Sequence, residues 1–139
     1  MANDTSTSQG LGNGLNYENI DTSKTLTLAD NGVIQNVIKD GITITLPATT
    51  AGAVFYIRNG GVPASSALGA GTGSDGTVLV TVAPNASDKI QGLAFSAQDN
   101  KAALNTKLTA RVGDFIRLVG DGTDGWNVAD ARGIWALAS

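Results

Sequence analysis

Neither cysteine nor histidine occurs in the 139 residues. Without cysteine there is no disulfide framework and no thiolate chemistry. Without histidine the chain lacks the usual general base, the commonest metal ligand and the neutral-pH switch. Charge is sparse as well. Charged residues make up 15%, below the roughly one quarter of an average soluble domain. Nine scattered basic residues against twelve acidic ones offer no cationic stripe for a nucleic-acid duplex. No apolar run approaches a membrane span, and the first residues lack the basic-then-apolar layout of a signal peptide. Aromatic residues are 5% of the chain, so each ring is expected in the core or a subunit contact. Glu18 is the single glutamate, whereas glycine occurs 18 times. That balance favours turns over helices.

What is present is alternation. In Ile42–Asn59 (ITITLPATTAGAVFYIRN), Ile42, Ile44 and Leu46 point one way and Thr43 and Thr45 the other. This is the period of a half-buried strand. Pro47 ends the pairing because it has no amide to donate. After a small-residue connector, Ala53, Phe55 and Ile57 share one face and Val54, Tyr56 and Arg58 the other, up to the Asn59-Gly60-Gly61 turn. Further strands are expected over Val33–Ile38, Thr77–Val82, Asp114–Val119, Trp126–Ala129 and Ile134–Leu137. Asp40-Gly41 is read as a turn into the central pair, and residues 120–125 as a tight hairpin. Asp88–Phe95 reads as an edge strand or loop with Ile90 buried. Ser96–Asn105 is the one place for a helical turn, and 62–76 reads as a long surface loop. The pattern predicts an all-β chain, an antiparallel β-sandwich, jelly roll or barrel over residues 23–139. Residues 1–22 are polar and glycine-rich and are expected to form a flexible N-terminal arm. Leu11, Leu15, Tyr17 and Ile20 are its candidate anchors in grooves of a partner. A lightly charged, threonine- and alanine-rich surface further predicts a homo-oligomer.

Catalytic, cofactor and metal sites are not expected. Asp121, Asp124 and Asp130 gather near the last hairpin, but the calcium-loop pattern with its terminal glutamate is missing. The glycine-rich GAGTGSDG lacks the GK[ST] ending of a phosphate loop. Trp126, Trp135 and Tyr56 are the alternative, a stacking platform for a glycan.

The ordered segments TLTLADNGVI, ITITLPATTAGAVFYIRN, VLVTVAPNASDKIQG, GDFIRLVGDGTDGWNV and RGIW resemble the small β modules of tailed-bacteriophage virions. Those modules serve as capsid decoration (cement) proteins, head fibres and tail-fibre segments. The resemblance spans roughly Thr25 to Trp135. It implies a symmetric oligomer, a homotrimer, with no enzymatic activity. One module plus a short arm, without shaft repeats, fits a decoration protein bound to the major capsid protein on the outside of the head after synthesis in the host cytoplasm. A receptor- or glycan-binding fibre module is the alternative.

Overall fold

A computed structural model describes residues 16–61 and 78–139. In chain order the strands are β1 (Asn16–Ile20), β2 (Lys24–Thr25), β3 (Val33–Val37), β4 (Ile42–Thr45), β5 (Val54–Asn59) and β6 (Val80–Ala83). They are followed by β7 (Lys89–Gln91), β8 (Ala103–Asn105), β9 (Phe115–Gly120), β10 (Gly125–Arg132) and β11 (Ala136–Leu137). Among the described residues one 3-10 turn, Leu28–Asp30, is held by a capping box. The Thr27 hydroxyl accepts from Ala29 N at 3.2 Å, and the Asp30 carboxylate accepts from Thr27 N at 2.9 Å. Such reciprocal bonds satisfy amides that the turn itself leaves unpaired.

Among the described residues the strands form two mixed sheets, each open at both edges. The larger has the order β1-β3-β5-β9-β10-β7 and the smaller β11-β8-β6-β4-β2. From β1 to β6 the chain crosses from one sheet to the other at every step. Each strand lies parallel to the strand two before it: β1 on β3, β3 on β5, β2 on β4 and β4 on β6. Parallel neighbours require a crossover connection, and here a strand of the opposite sheet supplies it. The later strands add antiparallel pairs, β5 with β9, β9 with β10, β6 with β8 and β8 with β11.

The all-β expectation holds, and the pairing differs from it in an instructive way. Asp40-Gly41 makes the expected turn, but not between strands that pair with each other. It is a corner that carries the chain from β3 in the larger sheet to β4 in the smaller. Gly41, at φ +77°, donates to Leu79 O at 3.1 Å, and Asp40 Oδ1 accepts from Leu79 N at 3.0 Å. Pro47–Gly52 is a second corner, so β4 and β5 face each other across the core rather than pairing edge to edge. The hairpin expected at 120–125 does form, joining β9 to β10.

Ser96–Asn105 holds no helical turn. Ala97 and Asn100 both have φ +57°, which no helix tolerates, and Ala103–Asn105 is strand β8 between β6 and β11. Ladder bonds and the burial of Ala103 and Asn105 outweigh the weak helix preference of two alanines. The segment expected as an arm is divided. Residues 1–15 lie outside the described residues, whereas Asn16–Ile20 pairs along its whole length with β3. The 62–76 loop also lies outside them.

The core fills the space between the two sheets. Val37, Phe55, Ile57, Ile116, Leu118 and Trp126 enter from the larger sheet, and Ile42, Ile44, Val80, Val82 and Ala103 from the smaller. Full burial of such a side chain contributes about 1.5–3 kcal/mol. One polar chain also crosses the interior. Asn59 Nδ2 in β5 donates to Asn105 Oδ1 in β8 at 2.7 Å and to Val78 O at 2.8 Å. Asn105 Nδ2 in turn donates to the buried Asp114 carboxylate and to Ile134 O, both at 3.1 Å. This chain ties the two sheets together at one end of the domain.

Candidate functional site

Strand alternation decides what the outer faces carry. On the smaller sheet, Thr43, Thr45, Thr81 and Ala83 sit at the outward positions of β4 and β6. Those positions carry no charge, and Leu104 of β8, aligned with Thr81, is the large apolar side chain on that face. The outer face of the larger sheet is different. The ladder aligns Tyr17, Ile34, Tyr56, Arg117 and Asp130 in one row across β1, β3, β5, β9 and β10. The next row is Asn19, Asn36, Arg58, Phe115 and Arg132. Val54 and Val119 extend the apolar part.

Three of the chain's four arginines thus share one face with three of its rings. Tyr56 and Phe115, diagonal neighbours on β5 and β9, stack with ring centroids 5.0 Å apart at 21°. Tyr17, at the β1 edge, is 42% exposed. Asn36 links three strands: its Nδ2 donates to Asn19 Oδ1 at 3.0 Å and its Oδ1 accepts from Arg58 Nη1 at 2.7 Å. Between Arg117 and Leu118 the β9–β10 register shifts by a bulge, which leaves Arg117 opposite Asp130.

The ion pairs of the described residues avoid this face. Lys24 joins Glu18 (2.8 Å) and Asp30 (3.3 Å), Lys89 joins Asp99 (3.3 Å) and Asp124 (3.8 Å), and Lys107 joins Asp40. Arg58, Arg117 and Arg132 are in none of them. Arginine combined with tyrosine and apolar side chains is the composition of interface hot spots. A guanidinium without a carboxylate keeps its bidentate donor set for a partner.

The chain matches no known family model, and it matches no curated protein.

The residues singled out from sequence scatter. Leu11 and Leu15 lie outside the described residues. Tyr17 and Ile20 are in β1, and only Tyr17 faces outward. Ile20 is 4% exposed and belongs to the core, so it cannot anchor an arm in a partner's groove. Trp126 and Trp135 are also core residues, and Trp126 packs on Phe55 with ring centroids 5.1 Å apart. Neither indole offers the open ring face that sugar stacking needs, so Trp126, Trp135 and Tyr56 do not form a platform. Tyr56 alone reaches the surface. Arg58, Arg117, Arg132 and Phe115 were missed as site residues. Their signal lay in the alternation, which puts tyrosine and arginine where a solvated strand would carry threonine or lysine.

The acidic residues near the last hairpin serve the turn. Asp121 Oδ1 accepts from the backbone N–H groups of Thr123 (2.8 Å), Asp124 (2.8 Å) and Gly125 (3.0 Å). Among the described residues no group of three or more acidic side chains is placed to hold a metal. The amides of Gly125, Thr123 and Asp124 favour the charged carboxylate and hold Asp121 at about 2. A depressed folded value means that this stabilisation is present above the unfolded value near 3.8 and is lost as pH falls through about 2. Asp121→Asn keeps an acceptor oxygen without the charge. A melting-temperature series from pH 5 to 2 is expected to show a shallower acid limb for this variant than for the wild type.

Proposed function

We propose that this chain is a structural, non-enzymatic module of a phage virion, a capsid decoration protein. On this reading it binds the outer surface of the head as a homotrimer and uses the outer face of the larger sheet as its docking surface. The observation that carries the reading is that face: Tyr17, Tyr56 and Phe115 among Arg58, Arg117 and Arg132, with none of the three arginines in an ion pair among the described residues. The order of the sequence segments that resemble virion β modules supports the assignment to a particle. The two-sheet core supports it further, since a cement must not deform when the shell strains. Many copies, each bridging neighbouring capsid subunits, would oppose rupture by mass action. Residues 1–15, with Leu11 and Leu15, would add a second attachment.

The test is immunogold electron microscopy of particles from a lysate containing the chain, paired with co-sedimentation of purified protein on undecorated heads. Label over the head is expected, and the Tyr56→Ala, Arg117→Glu double variant is expected to bind heads about 100-fold more weakly, the loss of two hot spots. Label confined to the tail tip would instead favour a receptor-binding fibre module. Unlabelled particles, or full binding by the double variant, would overturn the proposal.

A further inference from the structure

Gly113 lies in the loop before β9, at φ +99°. A Cβ at this residue would lie 3.8 Å from Arg132 Nη1 and 3.9 Å from Arg58 Nη2. Two guanidinium groups from β10 and β5 therefore reach toward one point, and the space between them is open because residue 113 has no side chain. Like charges brought together without a counter-ion repel, and an anion between them turns both interactions favourable.

The acidic groups nearby are already engaged. Asp114 is buried, and its Oδ2 accepts from Arg111 N at 2.9 Å and from Asn105 Nδ2 at 3.1 Å. Asp130 lies one row away opposite Arg117, and its Oδ1 accepts from Ala131 N at 2.9 Å. Neither carboxylate forms an ion pair with Arg58 or Arg132. Arg58 is oriented by Asn36, which takes Nη1 and leaves Nη2 toward the open point. The loops that lead to Gly113 and away from Arg132 carry exposed apolar side chains. Val112 precedes Gly113, Leu108 stands in the preceding loop at 91% exposure, and Ile134 follows Arg132 by two residues.

We infer that Arg58 and Arg132 form a carboxylate pocket over Gly113. Its occupant is an Asp or Glu side chain of the docked partner, flanked by apolar residues that cover Leu108, Val112 and Ile134. Charge complementarity and the exposed apolar residues of the flanking loops select this occupant: two forked donors suit a planar carboxylate, and exposed apolar side chains suit a folded protein surface more than a highly hydrated ion. The inference rests on the docking role proposed above for this sheet face, and it names the partner's chemistry.

Amide and arginine Nε–H NMR titrations of the full chain read the pocket without any partner. Sodium acetate, sodium phosphate and sodium chloride are compared at matched ionic strength. Acetate is expected to give saturable shifts at Gly113, Arg58 and Arg132, which chloride does not reproduce. Arg132→Gln, an exposed change outside the core, is expected to weaken acetate binding by about tenfold, the loss of one charged donor pair. Tighter saturation by phosphate than by acetate would replace the carboxylate assignment with a phosphate site. Absence of saturable shifts, or equal acetate binding by the variant, would overturn the pocket. If acetate binds as expected while head binding is absent, the docking proposal fails and the pocket stands.

Discussion

Trp126→Ala is expected to destabilise the domain by about 3–5 kcal/mol, the range for truncating a large buried aromatic. Trp126 is fully buried in β10, its ring tilted 54° against Phe55 of β5 at 5.1 Å, with β9 between the two strands. Removing it opens a cavity in the larger sheet's inner face, at the hairpin end of β9 and β10. The remaining core cannot collapse into that space, because paired strands hold Phe55, Leu118 and Ile90 in register. For a domain whose total stability is about 5–15 kcal/mol, such a loss is a large fraction. The expected result in urea unfolding is a large drop in midpoint with little change in slope. Trp126→Phe is expected to cost much less. It keeps a ring against Phe55 and deletes an indole N–H that has no hydrogen-bond partner among the described residues. Phe55→Ala combined with Trp126→Ala is expected to cost less than the sum of the single changes, because one ring contact is then lost only once. A strictly additive pair would show that the two rings do not support each other.

Asn105→Ala is expected to cost about 3 kcal/mol, nearly as much as the tryptophan, although it removes only a small amide. The reason is what it leaves behind. Asn105 donates to the Asp114 carboxylate and Ile134 O and accepts from Asn59 Nδ2, all at one buried end of the sandwich. Without it a carboxylate that is 2% exposed loses a donor, and a buried amide loses an acceptor. Each orphaned group costs about 1–3 kcal/mol, more where charge is involved. Asn59→Ala strands three neutral groups, Val78 O, Asn105 Oδ1 and Gly61 N, but no charged one, and is expected to cost less. Equilibrium unfolding of the two variants checks the order. A cost for Asn105→Ala no larger than for an exposed alanine substitution would mean that water replaces the amide at no penalty.

The same network explains why part of the molecule was invisible in the sequence. Asn59 reads as part of a turn, Asn105 as the end of a helical turn and Asp114 as the first residue of a strand, each for a sound local reason. Nothing local says that they meet, since 46 residues separate Asn59 from Asn105. The arginines that converge over Gly113 are likewise far apart in the chain. Their outward position follows from alternation, and their convergence follows only from the β5-β9-β10 order.

The sequence by itself determined the burial pattern. Ile42, Ile44 and Leu46, then Ala53, Phe55 and Ile57, face inward as their period of two requires, and the glycine- and aspartate-rich 120–125 stretch makes its hairpin. Both are local: a pleat alternates whatever its partner, and a tight turn is set by its own residues. The tertiary structure decided everything that depends on which strand lies beside which. It turned Asp40-Gly41 into a corner and Ser96–Asn105 into a path that ends in strand β8, and it put Trp126 and Trp135 inside. Turn residues state that the chain changes direction but not by how much. Alternation reads the same beside a parallel or an antiparallel neighbour, so partner choice falls to long-range packing of the core.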